Sequence, residues 1–163
     1  MPVGCCIREA TERDAKPVYS FVRSNDALFE VDIYMRGLLP GETCVLVAEN
    51  SEGAIVGWLE GLVDGAYRGA GADPIFPEPH GYVQAMMVSP AMRRRGVGSA
   101  LLEAFAQRAR SQGCEWMFLL PDETDDPTER VRFFESVGLT AVNDPSERFP
   151  AMAAPLIRIL GGH

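Results

Sequence analysis

Met86-Met87-Val88-Ser89-Pro90-Ala91-Met92-Arg93-Arg94-Arg95-Gly96-Val97-Gly98-Ser99-Ala100-Leu101-Leu102 is the stretch on which the fold turns. An apolar run ends at Ser89-Pro90, a pair that breaks a strand. A basic turn follows, and Gly96 and Gly98 open onto Leu101, Leu102, Phe105 and Ala109, an apolar face at helical spacing. The first N–H groups of a helix lack internal partners, and the aligned peptide dipoles add partial positive charge there. Gly96 and Gly98 have no side chain to hold an anion away from those N–H groups. The turn therefore reads as a phosphate cradle, to which Ser99 adds a hydroxyl and Arg93, Arg94 and Arg95 add charge that salt would screen. Two other phosphate loops do not fit. The turn lacks the Gly-Lys-Ser/Thr ending of a nucleoside-triphosphate loop and the third glycine of a dinucleotide fingerprint.

Upstream, Tyr82–Val88 reads as a strand whose alternation puts Tyr82, Gln84, Met86 and Val88 on one face. Before it lies Asp64–Pro79, punctuated by Gly65, Gly69, Gly71, Pro74, Pro77 and Pro79. So long an irregular segment is either a substrate-side lid or a surface excursion. Thr43–Glu49 and Ala54–Val63 read as a hairpin around the turn Asn50-Ser51-Glu52-Gly53. Gly4–Arg8 reads as a first strand. Thr11 is a helix cap with acids in the first turn, and Pro17 either kinks that helix or marks its start. Leu28, Val31, Met35 and Leu38 predict a second helix over Asp26–Leu38, ended by Pro40-Gly41.

Downstream, the helix from Val97 runs to Gln112 and closes at Gly113. Glu115–Leu120 reads as a buried strand. Asp126 caps a further helix with Pro127 at its first position and Glu129 three residues after the cap; it runs to Val137 and stops at Gly138. Leu139–Val142 and Pro155–Leu160 read as two late strands. The order β-α-α-β-β-β-α-β-α-β-β predicts an α/β protein of the α+β type: a mixed, mostly antiparallel sheet of about seven strands with helices on both faces.

The 163 residues, 47% hydrophobic and 23% charged, suit one domain spanning 1–163. A formal charge of -8 argues against nucleic-acid binding and fits either simple solubility or attraction of a cationic substrate. No apolar run approaches the roughly 18–20 residues of a membrane helix, and Met1–Arg8 lacks a secretory layout, so a cytoplasmic location without membrane partners is expected. Cys5, Cys6, Cys44 and Cys114, with His80 and His163, match no zinc spacing; reduced, mostly buried thiols and no metal are expected.

With these residues in view, the segment resembles the acetyl-CoA motif of the GNAT superfamily of N-acetyltransferases, Arg/Gln-x-x-Gly-x-Gly/Ala. Arg93, Gly96 and Gly98 fill its defined positions. Val88-x-Pro90 matches the family's strand ending, and Phe133-Phe134-Glu135-Ser136-Val137-Gly138-Leu139 resembles its second motif. The resemblance implies a GNAT acyl-CoA N-acyltransferase fold, acetyl-CoA as cosubstrate, and a small-molecule or peptide amine as acceptor; homodimers recur in the family. It implies that main-chain groups of Met86, Met87 and Val88 hold the pantetheine arm across a splay between their strand and Glu115–Leu120. The Val88 N–H then faces the thioester carbonyl, amides from Arg94 through Val97 to Ser99 take the pyrophosphate, and the amine attacks directly.

Two positions depart from the family. Phe134 stands where a tyrosine usually protonates the leaving thiolate, and phenylalanine has no proton to give. Pro127 stands where an asparagine often contacts pantetheine. For catalysis the candidates are the Val88 N–H together with Tyr82 and Gln84 on the same strand face; Glu60 and His80 are alternative bases, against the simpler readings of an exposed strand glutamate and a solvated loop histidine. Trp58 and Trp116 read as core, and Asp122–Asp126 as a solvated, helix-capping run. The Phe134 and Pro127 departures keep a second reading open, a non-catalytic acyl-CoA-binding sensor.

Overall fold

β1 (Cys5–Glu9) begins the chain in a computed structural model that describes residues 4–25, 29–69, 72–121, 128–142 and 150–161. There follow α1 (Ala15–Ser24), α2 (Asp32–Met35), β2 (Cys44–Asn50), β3 (Ile55–Gly65), β4 (His80–Val88), α3 (Val97–Ser111), β5 (Trp116–Leu119), α4 (Thr128–Ser136), β6 (Thr140–Ala141), β7 (Met152–Pro155) and α5 (Leu156–Leu160). The seven strands form a mixed sheet in the order β1-β2-β3-β4-β5-β7-β6. β4 and β5 run parallel, whereas β1–β2, β2–β3, β5–β7 and β6–β7 are antiparallel. The chain divides into two compact units, Met1–Gly61 with Ala85–Phe105, and Leu62–Gln84 with Ala106–His163.

In the first unit the hairpin forms where its turn chemistry places it. Asn50 Oδ1 accepts from the Glu52 and Ala54 amides at 3.0 and 2.9 Å, and Gly53 takes φ 82°, which suits a residue without Cβ. α1 starts at Ala15 after a short 3-10 turn at Glu12–Asp14, and Pro17 lies in its first turn, where the missing N–H would have had no helical partner. Its apolar face buries Ala15, Val18, Phe21 and Val22 against Val31, Tyr34, Val45, Val47 and Trp58. Arg8 ties β1 to its neighbours: its guanidinium donates to both Asp14 oxygens at 2.8 and 2.9 Å and to Glu49 at 2.7 Å.

The expected helix over Asp26–Leu38 shortens to Asp32–Met35; Asp26, Ala27 and Leu28 lie outside the described residues. Met35 and Leu38 are exposed, so the apolar stripe that suggested a long helix does not face the core, while Val31 and Tyr34 do. Gly37, at φ 79°, donates to the Tyr34 carbonyl and closes the turn.

In the second unit, Trp116, Phe118, Val142, Ala151 and Ala153 form the core, with Tyr67, Phe76 and Tyr82 packed against them. The β4–β5 ladder pairs Gly81, Tyr82 and Val83 with Met117, Phe118 and Leu119. α4 closes where Gly138 takes φ 107° and the Leu139 amide returns to the Phe134 carbonyl at 3.0 Å. The reading of Pro155–Leu160 as a strand is corrected. The last strand is Met152–Pro155, and Leu156–Leu160 is helical, with Leu156 and Ile159 buried three residues apart on one face. Leu-Ile-Arg-Ile-Leu fits either period, and Pro155 at the cap decides for the helix.

Candidate active site

The basic turn leads into α3 as its glycines require. Arg94 and Gly96 both adopt left-handed φ, 64° and 84°, and Gly96 accepts the first helical hydrogen bond, from the Ala100 amide at 3.0 Å. Gly96 thus sits at the cap with no side chain to satisfy the amides that follow. Val97, Gly98 and Ser99 have no amide partner among the described residues. A Cβ built on Gly96 meets nothing within 4 Å, so the approach from that side is open. Arg93, Arg94 and Arg95 are exposed and make no ion pair among the described residues.

A glycine on another strand sets the position of the helix entrance. A Cβ on Gly57 of β3 would lie 3.1 Å from Val97 Cγ1, Leu101 Cδ1 and Ala48 Cβ. The first turn of α3 therefore packs directly on the backbone of β3, and Val97 and Leu101 are buried there. The Ser89 amide donates to the Val56 carbonyl at 2.9 Å and fixes the end of β4 beside the same strand. A 3-10 turn at Pro90–Met92 then carries the chain to Arg93. Met86, Met87 and Val88 are half-buried, and Met87 packs on the core of the first unit together with Ala85.

Glu60 is neither exposed nor isolated. The Tyr34 hydroxyl donates to its Oε1 at 2.5 Å, and Trp58 Nε1–H donates to the Tyr34 oxygen at 3.4 Å. Burial pushes the Glu60 carboxyl above the usual carboxylate range, and the hydrogen bond from Tyr34 partly offsets that rise. Burial first, then the adjoining carboxylate, pushes the Tyr34 phenol well above its ordinary value. Trp58 is core, as expected, with Phe29 and Tyr34 edge-on to its ring.

In the second unit, the Tyr82 ring stacks on Phe118 at 4.6 Å between centroids, 3° from parallel, and its hydroxyl makes no hydrogen bond among the described residues. Gln84 is exposed. Trp116 is core, as expected. His80, expected to be a solvated loop residue and a candidate base, is instead the buried first residue of β4. Its Nδ1 accepts from the Tyr67 amide at 2.9 Å and its Nε2 lies 2.7 Å from the Phe76 carbonyl. An amide can only donate and a carbonyl can only accept, so the proton is on Nε2 and both ring nitrogens are used. With Arg68 paired to Glu78 at 2.7 Å, these bonds tie the irregular segment before β4 to the strand. Phe134 is buried on α4 with its ring 5.3 Å from that of Phe133. The cap Asp126, Pro127, the acidic run and Gly71 lie outside the described residues.

None of the four cysteines is in a disulfide, but the expectation that most are buried is corrected: only Cys114 is buried, its thiol 3.0 Å from the Val63 carbonyl, while Cys6 is exposed. Among the described residues no group of three or more His, Cys, Asp and Glu side chains is placed to hold a metal ion, and no helix is long and apolar enough to cross a membrane.

The sequence profile of the acetyltransferase (GNAT) family matches residues 8–139, a span that holds both the glycine turn and the Phe133–Leu139 stretch. The chain belongs to the acetyltransferase (GNAT) family. Solved structures share its fold. Ard1 from Thermoplasma volcanium is 21% identical with a TM-score of 0.66, over 94% of this chain and 98% of that one. Nourseothricin acetyltransferase is 16% identical with a TM-score of 0.66, over 94% of this chain and 99% of that one. Aminoglycoside N-acetyltransferase AAC(6')-Iy in complex with CoA is 18% identical with a TM-score of 0.70, over 86% of this chain and 90% of that one. No match was found to a curated protein. Family membership makes acyl transfer the general reaction class of this GNAT protein, carried on a mixed seven-stranded sheet.

Proposed function

We propose that the protein is an N-acetyltransferase that moves an acetyl group from acetyl-CoA to an amine by direct attack in a ternary complex. The observation that carries this reading is the entrance of α3. Among the described residues the amides of Val97, Gly98 and Ser99 lack partners there, the three neighbouring arginines make no ion pair, and no side chain caps the helix. That array suits a diphosphate, which both the amide geometry and the helix dipole favour. In this reading Arg94 to Ser99 hold the pyrophosphate, with Arg93 contributing charge. Met86, Met87 and Val88 hold the pantetheine arm by main-chain bonds. The Val88 N–H donates to the thioester carbonyl oxygen and stabilises charge as the tetrahedral intermediate forms. Tyr82 and Gln84 follow on the same strand face as contacts for the acyl or acceptor group, and Phe134 supplies an apolar contact for the coenzyme rather than a proton. That acetyl-CoA-type ligands suit this fold is supported by the CoA complex of the aminoglycoside enzyme.

Phe134, buried and without a hydroxyl, favours one other reading: an acyl-CoA-binding sensor without turnover. A single experiment separates the two. Acetyl-CoA binding is measured by calorimetry, and free-thiol release is followed across amino acids, polyamines, aminoglycosides and peptides with free N-termini. Binding with amine-dependent thiol release supports the transferase. Binding without release on any amine supports the sensor, and absence of binding sinks both.

A further inference from the structure

Among the described residues of the second unit, His80 is the one buried polar side chain, and the acetyl-transfer reading leaves it without a task. Its ring joins two pieces of chain. Nδ1 takes the amide of Tyr67, two places beyond β3, and Nε2–H reaches the Phe76 carbonyl in the strap formed by residues 72–79. A Cβ on Gly65 would lie 3.1 Å from the His80 carbonyl oxygen and 3.2 Å from Tyr82 Cβ, so a glycine lets the end of β3 close on the start of β4 and bring the Tyr67 amide to the ring. Within the strap, Asp73 Oδ1 accepts from the Ile75 amide at 3.0 Å and the Asp73 carbonyl from the Phe76 amide at 3.1 Å, a turn that presents Phe76. The imidazole stands edge-on to Trp116, and the Tyr67 ring leans on Trp116 and Phe118 at 5.7 and 5.2 Å between centroids.

This arrangement admits one protonation state. An imidazolium carries a hydrogen on both nitrogens and accepts nothing. Its Nδ1–H would meet the Tyr67 N–H across a 2.9 Å gap, and its charge would sit against Trp116 rather than in water. The titratable groups on the surrounding elements are Asp64 on β3, Tyr67 and Arg68 beyond it, Asp73 and Glu78 on the strap, Tyr82 on β4, and Cys114 and Glu115 ahead of β5. Asp64, Arg68, Asp73, Glu78 and Glu115 are exposed. Among the described residues none of these side chains bonds either ring nitrogen. Glu78 senses a charge on His80, but its carboxylate already receives two bonds from Arg68.

We propose that His80 is a proton-sensitive latch: the neutral ring holds Tyr67 and the strap over Trp116 and Phe118, and a proton taken from solvent at Nδ1 releases them. The closed form takes the neutral ring, whereas the open form lets a charged ring reach water. Opening therefore binds a proton, and falling pH favours it. Histidine is the side chain whose charge changes between roughly pH 5 and 8, above the range of ordinary carboxylates. Tyr82 stacks on Phe118 in the same cluster. Resting on the acetyl-transfer reading, the latch also sets how far that contact for the acyl or acceptor group is covered; the latch itself stands without that reading.

The test uses the full chain without coenzyme. Nitrogen NMR of the His80 ring is expected to show hydrogen on Nε2 alone at about pH 8 and on both nitrogens in acid. Hydrogen exchange at the Tyr67 amide is expressed as protection relative to an unstructured peptide at the same pH. That protection should fall about tenfold or more between about pH 7.5 and 5.5, in step with the ring signal, while the Phe118 amide keeps its own. His80→Asn keeps an acceptor near the place of Nδ1 and cannot be charged, so its Tyr67 protection should stay flat over the same range. Where that variant does not fold, the ring signal and the Tyr67 protection of the parent decide together. The latch is overturned if Tyr67 protection in the parent is flat, if it falls as steeply in folded His80→Asn, or if Phe118 loses protection alongside it. Because no arm of the test contains acetyl-CoA, its failure leaves the coenzyme reading in place, and failure to bind acetyl-CoA leaves the latch in place.

Discussion

Gly57 on β3 meets Val97 on α3 with no room for a methyl group between them, since a Cβ on Gly57 would lie 3.1 Å from Val97 Cγ1. The contact joins a residue of the hairpin to the first residue of the helix whose amides are to receive the diphosphate. Gly57→Ala must push that turn outward by a few tenths of an ångström or strain Ala48 and Leu101. Overpacking of this kind costs about 1–3 kcal/mol. We expect a lower urea midpoint and a several-fold weaker affinity for acetyl-CoA, whereas an Ala substitution at exposed Gly41, whose Cβ would meet nothing within 4 Å, changes neither. Unaltered coenzyme affinity in a destabilised Gly57→Ala protein would mean that the helix entrance tolerates displacement.

Gly96→Asp and Gly98→Asp should each abolish detectable acetyl-CoA binding. At Gly96 there is space for a side chain but the left-handed φ of 84° opposes one, and the new carboxylate would occupy the anion's place at the cap. Gly96→Ala separates the two effects: it keeps the strain, lacks the charge, and should weaken binding far less than the aspartate. Calorimetry at two salt concentrations gives both answers, because the contribution of Arg93, Arg94 and Arg95 fades as salt rises.

How far the sequence disclosed these features depended on how local each one was. The β2–β3 hairpin was legible because Asn50 and Gly53 carry their own turn instructions, and the helix entrance because glycine beside a strand breaker has few other uses. Leu156–Leu160 was misread because five apolar-rich residues satisfy both periods. The Gly57–Val97 contact and the Tyr34–Glu60 bond left no trace in the sequence. They join residues 40 and 26 positions apart, and only the folded sheet brings them together. His80 was misplaced for the same reason, since the amide it accepts belongs to Tyr67.

The Arg8–Asp14 pair predicts a pH dependence of stability. The Arg8 guanidinium, donating to both oxygens, is the largest influence on Asp14 and holds its carboxyl below the usual range. A carboxyl whose folded pKa is depressed contributes stability above its unfolded pKa, near 3.9, and loses it as pH falls through the lower folded value. Asp14→Asn should therefore cost about 2 kcal/mol at pH 7, the scale of a hydrogen bond to a charged group. The gap between variant and parent should begin to narrow as the pH nears that unfolded value and close only once it lies below the lower folded one. Urea titrations of both proteins across that range check the sign; a gap that stays constant with pH would remove the ion pair as its cause.

His80→Phe keeps a ring against Trp116, whose centroid lies 4.9 Å away, but removes the acceptor for the Tyr67 amide and the donor to the Phe76 carbonyl. Two backbone groups are then left without their partner at the two ends of the irregular segment. Each such loss costs about 1–3 kcal/mol when the group stays buried, so the segment should open rather than bear it. Hydrogen exchange at the Tyr67 amide should accelerate by more than tenfold, while β5 amides such as that of Phe118 keep their protection. If the segment serves only as surface, acetyl transfer by His80→Phe proceeds at the parental rate. If it is a lid over the acceptor, KM for the amine rises while the affinity for acetyl-CoA is unchanged. Unaltered exchange at Tyr67 would show that Arg68–Glu78 and the packing of Tyr67 and Phe76 hold the segment without the histidine.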